Sequence, residues 1–158
     1  MTESTFELFF DANRKRLYGS FCLITGNRHE AEKIVQDAFL KMWERWDRVS
    51  RLDDPQGFLF RTAMNVFRNR ARRAALAVRK LADAELRVDD LATVEDRDEL
   101  VRMLRALTER QRSALVLMDY LGYRSDEAAA ILGIRASTVR VLSTKGRASV
   151  RQMQGGAA

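Results

Sequence analysis

Residues 125–151 read SDEAAAILGIRASTVRVLSTKGRASVR. Ser125 has the chemistry of a helix cap, and Asp126 and Glu127 suit the positive end of a short helix, DEAAAILG. Gly133-Ile134 predicts a tight turn, because glycine enters the left-handed region at no steric cost. Beyond the turn, STVRVLSTKGRASVRQM predicts a last helix with Val139 and Leu142 facing inward. Two helices, a small Ala129 and a glycine turn fit a helix-turn-helix, although an ordinary helical hairpin shares that pattern. Charge separates the two. Residues 135–158 carry five basic side chains and no acidic one, which favours DNA as the partner.

Upstream, Thr108 and Gln111 have the spacing of a capping box, and the helix behind them, RQRSALVLMDYL, ends at Gly122. Before that lies LADAELRVDDLATVEDRDEL, residues 81–100, with eight acids against Arg87 and Arg97. Its composition predicts a tether, with room for a short helical piece, between two domains. The organisation expected is a domain over residues 1–80, an acidic linker over 81–97 and a second domain over 98–154.

The first domain repeats apolar residues at helical spacing. Phe6, Phe10, Leu17, Phe21 and Ile24 mark a helix from about Thr5 to Ile24, and Thr25-Gly26-Asn27 breaks it. HEAEKIVQDAFLKMWERWD resumes with Ala31, Val35, Ala38, Met42 and Trp46, flanked by Ile34, Phe39 and Trp43. SRLDDP interrupts again, and Pro55 opens a third helix behind Asp53 or Asp54 as cap. On that helix Phe60, Met64, Phe67, Ala71 and Ala74 form the stripe expected to be buried. A second stripe holds Arg61, Asn65, Arg68 and Arg72, with Asn69 beside it.

That second stripe lies in RTAMNVFRNRARRAA, residues 61–75, where five arginines meet no acid. A helix that needed only stability would interleave glutamates at i and i+4. A solvated face explains arginines but neither the missing acids nor two asparagines among them. Arg and Asn are the groups that hold phosphates and read bases. The net charge of +6 is segregated accordingly: 0 over residues 1–50, +6 over 51–80, −4 over 81–110, −1 over 111–134 and +5 over 135–158. Two basic surfaces are separated by an acidic segment, as two contacts with a polyanion require.

Composition narrows the alternatives. One Pro in 158 residues, with abundant Ala, Leu, Arg and Glu, favours an all-α chain. A single Cys22 excludes an internal disulfide, and with a single His29 it leaves no zinc set, so no metal or cofactor is expected. No apolar run approaches the roughly 20 residues that span a bilayer, and the acidic N-terminus is no signal peptide, so the expectation is a cytoplasmic protein without membrane insertion. No nucleophile–base or metal constellation points to an enzyme.

Three stretches, AEKIVQDAFLKMWERWD, DPQGFLFRTAMNVFRNRARR and LTERQRSALVLMDYLGYRSDEAAAILGIRASTVRVLSTKGRASVR, resemble in order and spacing a bacterial RNA polymerase sigma factor of the extracytoplasmic-function (ECF) type. The resemblance covers about Phe6 to Arg151. It implies a transcription initiation factor that lends promoter specificity to core RNA polymerase, recognising the minus-35 element as duplex and the minus-ten element as melted strand. Its implied partners are core polymerase, through the β′ clamp helices and the β flap, promoter DNA, and an anti-sigma factor. On the second helix Lys33, Gln36, Asp37, Leu40 and Glu44 fall off the apolar stripe, where the resemblance puts the polymerase contact. On the third, Asn65 with residues around Val49 to Asp54 corresponds to a pocket for a flipped base. Arg61, Arg68 and Arg72 would hold phosphates, with Asn69 on the same face. On the last helix Ser137, Arg140, Val141, Thr144 and Lys145 face outward for base contacts, and Arg135, Thr138 and Arg147 for phosphates. Two departures stand out. Arg135 sits where the family often has a small capping residue, and Gly146 inside the recognition helix costs up to about 1 kcal/mol relative to Ala. The rival reading is a stand-alone helix-turn-helix regulator. Against it stands the first domain, which has a basic strand-binding face and no effector pocket.

Overall fold

The computed structural model describes residues 2–80 and 99–156, and among them every regular element is helical. Four helices form the first half: α1 (Thr2–Thr25), α2 (Arg28–Glu44), the single turn α3 (Trp46–Val49) and α4 (Pro55–Lys80). The second half contains α5 (Glu99–Arg105), α6 (Glu109–Leu115) running into a π-helical turn (Val116–Tyr120), α7 (Ser125–Leu132) and α8 (Ala136–Gly156). The acidic tether, 81–97, lies outside the described residues. Among the described residues no helix is long and apolar enough to cross a membrane.

Local chemistry sets most boundaries. Gly26 takes φ +67° and its N–H bonds Cys22 O at 2.9 Å, ending α1; Asn27 then caps α2 by accepting from Glu30 N–H at 3.0 Å. Of the two candidate caps for α4, Asp54 is the one used, accepting from Gly57 N–H at 3.0 Å. Thr108 and Gln111 make both arms of the capping box, each at 3.2 Å. Gly133, φ +69°, makes the turn between α7 and α8. The cap of α7 differs from the expectation. Ser125 is already helical and Arg124 holds the cap position, where Glu127 Oε1 accepts its backbone N–H at 2.9 Å.

The first core joins Leu17, Phe21 and Ile24 of α1 to Ile34, Ala38 and Met42 of α2 and Leu59, Phe60, Ala63 and Met64 of α4. The second helix is not continuous as predicted. It stops at Arg45, whose backbone leaves the helical region, and α3 restarts with Trp46 and Val49 buried and Trp46 Nε1 donating to Thr5 Oγ1 at 3.0 Å. Phe6 and Phe10, expected in the α1 stripe, are only half-buried, and pack against Phe39 and, for Phe6, both tryptophans. Asn13, buried, ties α1 to the start of α4 by accepting from Gln56 Nε2 at 2.8 Å. On α4 the buried stripe fades: Phe60, Met64 and Phe67 are buried, Ala71 is half-buried and Ala74 is exposed, because the helix has run past the body it packs on.

The second core is built by Leu104, Ala114, Leu117, Ala128, Ile131, Leu132 and Val139, and it merges with the first into one cluster. On α8, Val139 is buried as expected, Leu142 is half-buried, and the neighbouring Ser143 and Gly146 complete the inward face. A methyl built at Gly146 would lie 3.6 Å from Gln111 O and 3.7 Å from Leu107 and Leu115 side-chain carbons, which is ordinary contact.

One arginine of the acid-free block has found an acid outside it. Arg70 Nη2 donates to Glu30 Oε2 at 3.1 Å and Arg70 Nε to Oε1, joining α4 to the first turn of α2. This bidentate bond holds the Glu30 carboxyl below its ordinary range against the opposing effect of burial, with Lys33 and His29 adding to the lowering.

Two outcomes follow from these contacts. Gly146→Ala adds helix propensity without a clash and should raise stability by about 0.5–1 kcal/mol in urea unfolding; a loss would mean that α8 crosses α6 too closely for a methyl. Glu30→Gln should lower stability at pH 7 by about 0.5–1 kcal/mol, the pair being partly exposed. Because the folded-state pKa of Glu30 is lowered, that contribution is complete above the unfolded value of about 4.3 and is lost as pH falls through the folded one. The gap between the two proteins should therefore close in acid, and a gap unchanged down to about pH 3 would contradict the assignment.

Candidate nucleic-acid interface

Helix α4 presents Arg61, Asn65, Asn69 and Arg72 to solvent, all on the side away from Leu59, Ala63 and Val66. Arg68 belongs to the same stripe but is half-buried. Its Nη2 donates to Leu132 O, the last residue of α7. Burial pushes the Arg68 pKa down, Glu109 pulls it up and Arg110 and Arg72 push it further down; a guanidinium stays charged through shifts of this kind. Arg68, Arg72, Glu109 and Arg110 line a cleft of about 500 Å³ between α4 and the second domain.

The loop that the sequence reading pairs with Asn65 leads into a different cleft, of about 490 Å³. Leu52, Asp53, Asp54 and Arg61 form one wall, and Asp126 and Glu127 of α7 stand on the other. Tyr123, just before α7, packs edge-on against Phe60 with ring centroids 5.8 Å apart. Asn65 is exposed on the helix beyond this cleft and is not among its lining residues.

Helix α8 presents its predicted face intact. Ser137, Arg140, Val141, Thr144 and Lys145 are all exposed, Val141 at 52%. Arg140 Nη1 lies 3.2 Å from Ser125 Oγ, and Thr144 Oγ1 donates to Arg140 O at 2.8 Å, so both side chains start from defined positions. Arg135 is exposed at the N-terminus of the helix, its carbonyl accepting from Val139 N–H at 3.1 Å. Thr138 is half-buried. Arg147 is drawn away from this face: Nε and Nη2 grip the Asp119 carboxylate at 2.7 and 2.6 Å, and that bond raises its pKa.

On α2, Lys33, Gln36, Asp37, Leu40 and Glu44 are exposed together, opposite Ile34, Ala38 and Met42. Leu40 is 56% and its neighbour Trp43 41% exposed, an apolar pair among charges. The sequence reading placed Trp43 on the flank of the buried stripe and so missed its share in this surface. It also missed Arg16 and Arg105, which donate to backbone carbonyls of the opposite domain, Arg16 Nη2 to Leu121 O at 2.6 Å and Arg105 Nη2 to Gly26 O at 2.8 Å. Both bonds span long stretches of chain, and nothing local in the sequence signals them.

Comparison with known proteins matches two stretches of the chain to two sequence families. The sequence family Sigma-70 region 2 matches residues 9–77, and Sigma-70, region 4 matches residues 97–150. The RNA polymerase sigma-E factor of Streptomyces avermitilis is 32% identical over 126 residues, covering 77% of this chain and 68% of that protein. The ECF RNA polymerase sigma factor SigM of Mycobacterium tuberculosis is 29% identical over 152 residues, covering 95% and 77%. Among solved structures, the sigma factor RpoE in complex with the anti-sigma factor NepR from Bartonella quintana superposes with a TM-score of 0.79 at 20% identity, over 96% of this chain and 97% of that one. CnrH in complex with the cytosolic domain of CnrY gives 0.69 at 23% identity, over 99% and 91%. A region 2 fold bearing a basic, asparagine-containing helix, followed by a region 4 helix-turn-helix, places this chain in the sigma-70 family as an RNA polymerase sigma factor of the ECF type.

Proposed function

We propose that this promoter-recognising initiation factor divides its work between two faces, α4 for the melted minus-ten strand and α8 for the minus-35 duplex. The observation that carries the reading is the exposure of both faces without acidic neighbours on their own helices: Arg61, Asn65, Asn69 and Arg72 on one, Ser137, Arg140, Val141, Thr144 and Lys145 on the other. Arg68 joins the first face once its bond to Leu132 O is exchanged for a phosphate. On α8, Arg140 and Lys145 reach toward guanine edges and the Val141 or Thr144 methyl meets a thymine methyl, while Arg135 and Thr138 hold phosphates. Arg147, committed to Asp119, sets the seat of α8 on the π-helical turn that follows α6 and adds positive field rather than a direct contact.

The domains assigned to these tasks are residues 1–80 and 98–154, with 81–97 as linker. Core polymerase docks on the α2 surface of Lys33, Gln36, Asp37, Leu40 and Glu44, where one exposed leucine among charges gives a small apolar anchor with a polar rim. An anti-sigma factor is the further partner, by analogy with the two similar folds, whose structures hold RpoE with an anti-sigma factor and CnrH with a domain of CnrY. The protein works in the cytoplasm and supplies specificity, while nucleotidyl transfer belongs to the polymerase. The direct test is run-off transcription with purified core polymerase: promoter-specific transcripts should require this chain, and a chain that binds operator DNA but never supports initiation would instead be a stand-alone regulator.

Arg140→Ala should cost about 1–3 kcal/mol at one base position of the minus-35 element and relax preference there. Arg135→Ala should weaken all sequences alike and flatten the salt dependence of binding. Equal losses on every minus-35 sequence for Arg140→Ala, measured by gel shift, would sink the readout assignment. Asn65→Ala should leave core binding and the closed complex intact while weakening the open complex by about 1–3 kcal/mol, since its contact forms only after melting. Permanganate footprinting reads this; normal opening with unchanged base preference would put the base pocket elsewhere.

A further inference from the structure

The cap role that sequence assigns to Ser125 is taken by Arg124, which leaves the Ser125 hydroxyl for another use. Ser125 is half-buried in the first turn of α7, and its Oγ lies 3.2 Å from Arg140 Nη1. The turn at Gly133 folds the two helices together, so that the start of α7 meets Arg140, early in α8. The acids next to Ser125 in sequence face elsewhere. Asp126 Oδ1 and Glu127 Oε1 each stand 3.4 Å from Arg124 Nε, and among the described residues Arg140 makes no ion pair.

Arg147 supplies the contrast. It lies about 20° from Arg140 around the same helix, yet it spends its Nε–Nη2 edge on the Asp119 carboxylate. Two arginines on one line of α8 thus meet different acceptors from outside the helix. The carboxylate offsets the charge of Arg147 and fills its fork. The Ser125 hydroxyl takes a single donor of Arg140, Nη1, and leaves the positive charge for DNA. The Nε–Nη2 edge of Arg140 stays free, and that edge carries the two parallel N–H groups that match guanine O6 and N7.

An exposed arginine free to change rotamer can settle on any phosphate within reach, which gives affinity without sequence preference. A bond made before DNA arrives limits where the free edge points and lowers the rotamer entropy lost on binding. We infer that Ser125 sets base specificity at the minus-35 element by aiming Arg140, its oxygen holding Nη1 so that the Nε–Nη2 edge meets guanine. Ser125 is a positioning residue, acting through Arg140. The inference rests on the reading of α8 as the minus-35 reader.

The test uses holoenzyme assembled from the full chain and core polymerase, with a promoter it transcribes randomised over the minus-35 element. Bound duplexes are sequenced, which reads base preference position by position. Arg140→Ala identifies the position that Arg140 reads. There Ser125→Ala should lower the preference for guanine by about two- to tenfold, the worth of one neutral hydrogen bond. Preference at the other positions and the salt dependence of overall affinity should not change. Ser125→Thr, which keeps the hydroxyl, should retain the preference, and in an Arg140→Ala background Ser125→Ala should add nothing. Four results overturn the inference: an unchanged guanine preference in Ser125→Ala, an equal loss at all positions, the same loss in Ser125→Thr, or a further loss in the Arg140→Ala background. Any of these beside a normal Arg140→Ala result leaves the α8 readout standing. If Arg140→Ala itself alters no single position, that readout falls and the role of Ser125 falls with it.

Discussion

Unsatisfied carbonyls at helix ends are the constraint around which the two halves of this molecule are arranged. Each helix leaves a cluster of acceptors at its C-terminus, and here three such clusters fall at the junction of the domains. The chain answers all three with guanidinium groups from the opposite side, Arg16, Arg68 and Arg105. Arginine suits the task because its planar fork can bond a carbonyl while its stem lies along apolar surface. The apolar cores could then merge, with Phe60 against Tyr123 and α7 lying along α4.

This use of arginine changes the meaning of the basic blocks. By charge alone all the cations of α4 and α8 belong to one class. In the structure they divide. Arg70 grips Glu30 and Arg147 grips Asp119, both bidentate and both joining one helix to another. Arg61, Arg72, Arg135 and Arg140 point outward. Arg68 stands between the groups, held by a neutral carbonyl that a phosphate oxygen can replace. The cations free to meet a polyanion are therefore fewer than the 28 basic side chains that the sequence contains.

What the sequence disclosed was local. Asp54 and Pro55, Thr108 and Gln111, and Gly133 announce helix ends because a cap is a contact over three or four residues, and these ends stand where they were expected. The outward face of α8 was legible for the same reason, as periodicity alone fixes which residues oppose Val139. The errors arise where a distant element decides. Ala74 continues the stripe of α4 but has nothing to pack on. The second helix breaks at Arg45, where the chain turns to bury Trp46 beside Thr5. Arg70 read as unpaired because its acid lies 40 residues away, and the bonds of Arg16 and Arg105 span 105 and 79 residues. Apart from these, the exposed faces assigned to polymerase and DNA are exposed as the pattern implied, with Arg68, Thr138 and Arg147 partly withdrawn.

The central claim is that the two exposed faces take two states of promoter DNA, α8 the duplex and α4 the melted strand. The most direct measurement is photo-crosslinking from a benzophenone side chain placed at Asn69 or at Val141, in the complex with core polymerase, on promoter DNA held closed and then opened. The account predicts that the α8 probe reaches DNA in both states and the α4 probe only after opening. Equal crosslinking of the α4 probe to closed duplex would contradict it.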